Sequence, residues 1–178
     1  MKEFIDNLIK EHKISVVDSE FARDMLREAY LYAFENSTDP TTKTGSVIVR
    51  EGNLVSRGSN EFAKSVTVSE KRRIDERVYQ DHSERNAIYK AARLGIPLED
   101  TQIYTTWVPC AVCANGIINT GIDRVVIHYE SAIKPKEKWE DELKESLDLM
   151  IEAGIEIEMY KGKIGDVEGL FSSKKWEP

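Results

Sequence analysis

The chain has 178 residues, of which 40% are hydrophobic and 32% charged, and a formal net charge of −7. That length suits one domain with a sizeable buried core, and no apolar run approaches the ~20 residues of a membrane-spanning helix. The acidic balance speaks against a protein that grips a phosphodiester backbone through a basic stripe. The opening "MKEFIDNLIKEHKISVV" lacks the apolar core of a signal peptide, and the two cysteines, Cys110 and Cys113, stand too close together to form a disulfide framework. Both features predict an intracellular, cytoplasmic protein.

Residues 2–13 read as a short amphipathic helix within an N-terminal helical extension, 1–18. A second helix is predicted over 19–36, with Ser19 as N-cap and Phe21, Met25, Leu26, Tyr30 and Ala33 at helical spacing. "STDPTTKTG" is a polar connection punctuated by Pro40 and Gly45. "SVIVR" and "LVSRG" read as two strands of a hairpin joined at "EGN". Residues 61–81 carry little pattern; a loop followed by a helix from Ser69 is the expectation. A basic cluster lies here, Lys71, Arg72, Arg73 and Arg77, diluted by Glu70, Asp75 and Glu76. It reads either as a solvated helix face or as a small phosphate-binding patch.

Ala87, Ile88, Ala91 and Ala92 form a stripe in "SERNAIYKAARLG", a helix stopped by Gly95. "TQIYTT" is a strand, and "PCAVCANGIINTG" a helix with Pro109 in its first turn and Gly121 closing it. "DRVVIHYE" is a strand, 136–153 a long amphipathic helix ending at Gly154, and "IEIEMY" a last alternating strand. A main domain over 19–160 is therefore expected, followed by a C-terminal tail, 161–178, wrapped on the surface. Strand–helix–strand alternation in the second half implies right-handed crossovers and helices on both faces of an α/β sheet. The opening hairpin makes that sheet mixed.

A lone C-x-x-C serves a redox disulfide, half of a zinc site, or two small apolar residues one turn apart. A catalytic zinc takes three protein ligands and leaves a position for water, so a third ligand is needed. Of the three histidines, His12 has no polar constellation beside it, and a strand end accounts for His128. His82 stands immediately before a helix and two residues before Glu84, a placement that a capping histidine and a dipole-complementing glutamate would also explain. Together, however, His82-x-Glu84 and Pro109-Cys110-x-x-Cys113 make the zinc deaminase signature, each half opening a helix. His82, Cys110 and Cys113 are then the zinc ligands. Glu84 is the unligated carboxylate that moves protons between water, ring nitrogen and departing amine.

With those residues in view, the chain resembles the cytidine and deoxycytidylate deaminase superfamily, and most of all its deoxycytidylate (dCMP) deaminase branch. "DPTTKTGSVIV" resembles that branch's Asp-Pro, polar run, Gly and buried strand, and "RGSN" its Gly-x-Asn strand end. "HSERNAI" is similar to its His-Ala-Glu-x-Asn-Ala-Ile, and "GIPLEDTQIYTTWVPCAVCANGIINTGIDRVV" matches nearly throughout. The resemblance spans roughly residues 20–160. It implies a three-layer α/β/α cytidine-deaminase-like fold with a five-stranded mixed sheet, and one catalytic Zn2+ per chain. It also implies conversion of dCMP and water to dUMP and ammonia, and a homo-oligomer between dimer and hexamer. By position it gives Asn60 a nucleoside contact and places Asn86 beside the nucleotide pocket; Trp107 is either a stacking wall for the pyrimidine or core. Ser83 replaces the usual Ala, and "NEFAKSVTVSEKRRIDERVYQ" replaces the branch's Gly-, Pro- and Cys/His-bearing stretch. That replacement argues against a second, structural zinc and leaves Lys64, Lys71, Arg72, Arg73 and Arg85 as candidates for phosphate. Other readings stay open: a deaminase of cytidine, cytosine, guanine, a pterin or a riboflavin precursor; a tRNA or single-strand DNA deaminase, which the acidic charge opposes; and a non-enzymatic zinc module, which Glu84 opposes.

Overall fold

Successive residues along the central strands enter opposite cores, and that alternation sets the layers. The computed structural model describes residues 1–74, 76–135 and 137–178, with side chains 74–77 and 136–137 outside the description. The elements run α1 (Lys2–Lys10), β1 (Ser15–Val17), α2 (Glu20–Asn36), β2 (Gly45–Arg50), β3 (Asn53–Ser59) and β4 (Glu61–Phe62). Then come α3 (Glu70–Ile74), α4 (Glu76–Tyr79), β5 (Gln80–Asp81), α5 (Ser83–Arg93), β6 (Thr101–Thr105) and α6 (Ala111–Asn119). The last third holds β7 (Ile122–His128), α7 (Tyr129–Ala132), α8 (Glu137–Glu152), β8 (Glu156–Tyr160), β9 (Gly169–Phe171) and β10 (Lys174–Trp176).

The main sheet has the order β1–β8–β7–β6–β2–β3. The first four of these strands are parallel; β2 runs antiparallel to β6, and β3 antiparallel to β2. Ile48, Ile103, Val125, Ile127, Ile157 and Met159 face one core, which α1, α5, α6 and α8 cover with residues such as Leu8, Ala87, Ile117 and Leu147. Val47, Val49, Tyr104 and Val126 face the other, covered by Leu26, Ala29 and Tyr30 of α2 and by Ile164 and Trp176 of the tail. The result is the three-layer arrangement expected of a sheet apolar on both faces.

The mixed α/β sheet is as expected, but it has six strands rather than five. The sixth, β1, lies inside the stretch read as a helical extension and pairs in parallel with β8. Three residues between a helix and the next N-cap offer no alternation to read. Ser19 caps α2 as predicted, its Oγ accepting from the Ala22 N–H at 3.1 Å. Between β2 and β3, Glu51 and Gly52 both take positive φ, a tight two-residue turn. The 61–81 stretch is bracketed by the short pairing of β4 with β5, with α3 and α4 between them. Asp75 and the side chains of Glu76 and Arg77 in the basic cluster, like Lys136 at the start of the predicted last helix, lie outside the described residues. Among the described residues no helix is long and apolar enough to cross a membrane.

Two glycines set how closely the layers approach. A Cβ on Gly45 would lie 1.9 Å from the Ala29 carbonyl oxygen of α2, and one on Gly58 would lie 2.1 Å from the Ser83 carbonyl oxygen of α5. Neither backbone has room for a side chain, so α5 seats directly on β3.

Candidate active site

The site opens at the carboxyl end of β6, where ligands of open α/β sheets bind. Past Thr105 the chain is fastened on several sides. Thr106 exchanges hydrogen bonds with Gly45, and Ser131 of α7 donates to the Thr106 carbonyl. Ser146 of α8 donates to the Pro109 carbonyl at 2.6 Å. Cys110 is the N-cap of α6, so Pro109 lies just outside the helix rather than in its first turn. His82 is likewise the N-cap of α5, with extended backbone. Both helix N-termini, with their free N–H groups and positive dipole ends, thus point into one place.

Three donor atoms converge there. His82 Nδ1 is 3.4 Å from Cys110 Sγ and 3.7 Å from Cys113 Sγ, and the two sulfurs are 3.5 Å apart. A disulfide would bring the sulfurs to about 2.0 Å, so the pair is not one. A tetrahedral zinc with ordinary Zn–S and Zn–N bonds separates its ligands by about 3.5–3.8 Å, which the three spacings match. Among the described residues this is the His/Cys/Asp/Glu group whose ligand atoms cluster tightly enough for a metal. The His/Cys/Cys triad fits one zinc ion. The local charges agree: the hydrogen bond shared with Cys113, helped by His82, pulls the Cys110 thiol well below its ordinary range against its burial. The same bond and burial push Cys113 up, while the bond to Cys110 holds His82 above its ordinary range. Two sulfurs sharing a proton beside an imidazole are groups that a divalent cation would reorganise. Arg85 Nη1 lies 3.4 Å from Cys113 Sγ, and its Nε 3.5 Å from Asp81, placing a fixed positive charge behind the sulfur.

Glu84 sits in the first turn of α5 and is 4% exposed. Its Oε1 accepts from Thr105 Oγ1 at 3.2 Å. Thr105 Oγ1 in turn accepts from Ser46 Oγ at 3.1 Å, and Ser46 pairs with Ser83 Oγ at 2.8 Å. The serine that departs from the usual alanine therefore joins a buried hydroxyl chain that fixes the carboxylate. That chain engages Oε1, not Oε2, of Glu84.

A cleft of about 610 Å³ opens over these groups, within the usual size of a small-molecule site. His82, Glu84, Cys110, Asn60 and Trp107 all line it. Asn60 already uses its amide: it accepts from Ser37 Oγ and the Thr44 N–H, and donates to the Thr42 carbonyl and Asp39. It thereby holds the 37–44 loop against the cleft. Asn86 is buried on α5 outside the cleft lining, and its Oδ1 has no hydrogen-bond partner. Trp107 is half-buried and packs on Phe171, centroids 4.4 Å apart. Of the basic residues considered for phosphate, Arg85 reaches the cleft; Arg73 instead donates to the Thr38 carbonyl and Arg72 to that of Thr67. His128 is fully buried and bonded to Tyr30, away from the metal ligands. Sequence reasoning missed Asp39, Lys138, Trp139 and Phe171, which also line the cleft. Asp39 stood in the quoted "DPTTKTG" and could have been found there; the others stand in no motif.

The signature of the family described as "Cytidine and deoxycytidylate deaminase zinc-binding region" matches residues 19–129. The chain is 35% identical over 125 residues to an uncharacterized deaminase in the luxG 3′ region of Aliivibrio fischeri, covering 68% of this chain and 81% of that one. It is 40% identical over 76 residues to the deoxycytidylate deaminase of Enterobacteria phage T2, covering 43% and 36%. The structure of dCMP deaminase from cyanophage S-TIM5 in complex with dCMP and dUMP superposes with a TM-score of 0.65 at 20% identity, over 80% of this chain and 98% of that one. At that identity the likeness shows a shared fold.

Proposed function

The chain belongs to the cytidine and deoxycytidylate deaminase family, and from that premise we propose that this zinc-dependent deaminase converts dCMP and water to dUMP and ammonia. The observation that carries the reading is the buried Glu84 carboxylate in the same cleft as the His82–Cys110–Cys113 triad. His82, Cys110 and Cys113 would hold the zinc, which when bound would lower the pKa of a water in the cleft towards neutrality. Glu84 takes the proton of the attacking water on Oε2 and delivers it to the ring nitrogen beside the amine-bearing carbon. The water oxygen bonds to that carbon, and Glu84 then takes the second proton from the new hydroxyl and passes it to the amine, so that the carbonyl forms as the C–N bond breaks and ammonia leaves. The Thr105–Ser46–Ser83 chain keeps Oε1 in place through both transfers. Trp107 offers an aromatic face to the pyrimidine, and Asn60 shapes the loop beside the sugar.

Support for dCMP in particular comes from the motif series in sequence and from the phage relative's activity. Support for a free small substrate over a polymer comes from the net charge of −7 and from a cleft lined by both signs of charge. A homo-oligomer of two to six chains is part of the same reading. Purified protein mixed with dCMP, dCTP, cytidine or cytosine should release ammonia fastest from dCMP. Clear turnover of another amine with none of dCMP overturns the substrate.

A further inference from the structure

The family's shared zinc-binding region ends at residue 129, but the cleft does not. Its lining continues on α8 and on the tip of the β9–β10 hairpin, at Phe171 and Ser172. A catalytic motif common to enzymes with different substrates cannot choose among them, so the choice falls to whatever completes the pocket. We propose that the C-terminal hairpin is the specificity wall of this site, with Phe171 contacting the substrate's pyrimidine and Trp176 acting as the positioning residue that holds the hairpin in place. The substrate it fits is a free pyrimidine nucleotide, so this inference rests on the preceding reading.

The hairpin is pinned at both ends. At its tip, the Ser172 N–H donates to Thr42 Oγ1 at 3.2 Å and the Ser173 N–H to the Thr41 carbonyl at 2.7 Å. The Lys43 N–H donates to the Leu170 carbonyl at 3.0 Å. These contacts clamp the hairpin to the loop that Asn60 organises. Ser172 and Ser173 hold φ of 49° and 64°, a left-handed pair that serine adopts rarely and a two-residue hairpin turn demands. At its base, the Trp176 ring stacks on His128 at 5.8 Å with the planes 9° apart, and meets Tyr30 edge-on at 6.0 Å. Lys134 Nζ lies 2.9 Å from the centroid of the same ring. His128 Nε2 donates to the Gly162 carbonyl at 3.2 Å while its Nδ1 accepts from Tyr30. Opposite Trp176 stands Gly169, where a Cβ would lie 2.3 Å from the indole nitrogen. The indole fits only because that residue has no side chain.

Held this way, Phe171 packs on Trp107 at 4.4 Å with the planes 33° apart, and the two rings form one apolar surface in the cleft lining. Trp107 alone, on the segment after β6, would leave that surface half built.

The test uses the zinc-loaded full chain and three readouts: zinc content, the rate at which a chromophoric chelator extracts the zinc through the cleft, and kcat and KM on dCMP and cytidine. Phe171→Ala should keep full zinc and near-wild-type kcat, raise KM about 10-fold through lost stacking, and speed zinc extraction several-fold. Phe171→Tyr should restore both. Gly169→Ala, which displaces Trp176 without touching the cleft, should show the Phe171→Ala pattern in milder form. Unchanged KM and unchanged extraction in Phe171→Ala overturn the wall. Absence of dCMP turnover in the wild type overturns the substrate reading instead, and the extraction rates still decide the wall.

Discussion

The floor and the wall of the cleft are held by different kinds of contact. On the floor, His82 and Glu84 are two residues apart on one helix start, and Cys110 and Cys113 three apart on another. Each pair is placed by its own first turn. Glu84 and Cys113 are buried, and Glu84's anchors, Thr105, Ser46 and Ser83, are buried too. The wall joins Trp107 to Phe171, which belong to distant parts of the chain, and depends on Thr41, Thr42, Tyr30 and His128 to stay joined. Reaction and selection are thus separable: the floor can be kept while the wall is changed. Damage to the floor should abolish turnover, and damage to the wall should shift preference.

The largest effect is expected where a floor residue is a metal ligand. Cys113→Ala should lose zinc and with it all measurable activity. Because zinc binds the folded chain and its removal forfeits that linkage, the variant, like the chelated wild type, should also melt at lower temperature. Retention of one zinc per chain would remove Cys113 from the ligand set. Next, Glu84→Gln should keep its zinc but lose about 10²- to 10⁴-fold in kcat, the usual worth of a positioned acid–base group. Equal loss of metal and activity would mean that Glu84 ligates rather than shuttles protons.

The same division explains what could be read from the sequence. His82, Glu84, Cys110 and Cys113 declare themselves because helix starts fix side-chain directions over two or three residues, and such spacing is written in the chain. The strands of β2, β6, β7 and β8 are legible for a related reason, their alternate residues feeding two cores. β1 was hidden because three residues carry no period. The β9–β10 hairpin was hidden because its turn uses Ser172 and Ser173 where Asn-Gly would have announced it. The family resemblance puts Asn60 near the nucleoside, but its partners in the 37–44 loop are tertiary and only the structure displays them. Lys138 and Trp139 reach the cleft because α8 folds back across α6, which no local pattern announces.

A smaller effect should come from the joint between sheet and floor. Gly58→Ala places a methyl 2.1 Å from the Ser83 carbonyl and 2.4 Å from the Ala87 nitrogen, both backbone atoms of α5. The helix must move, and overpacking of this kind costs about 1–3 kcal/mol in urea unfolding. Because α5 carries His82 and Glu84 together, kcat should fall about 10-fold with zinc retained, since misplacement by a fraction of an ångström weakens proton transfer more than ligation. A variant as stable and active as wild type would show that α5 is not held by this contact.

The smallest effect belongs to the rim. Lys138 lines the cleft from the start of α8, exposed, with its Nζ 4.8 Å from the Trp139 ring centroid. Arg85, which also lines the cleft and is the candidate the sequence offers there, is already engaged with Cys113 and Asp81. Among the described residues that line the cleft, Lys138 is therefore the exposed cation placed to meet the 5′-phosphate of the proposed substrate. Lys138→Ala should raise KM for dCMP about 3- to 10-fold and leave cytidine kinetics unchanged, with kcat the same for both. The dCMP effect should shrink as salt rises, because an exposed ammonium is screened within about 10 Å at 0.1 M. Equal losses on dCMP and cytidine would mean that Lys138 shapes the cleft without reading the phosphate, and the monophosphate would then have to be met from the side of α3, where Arg73 already touches Thr38.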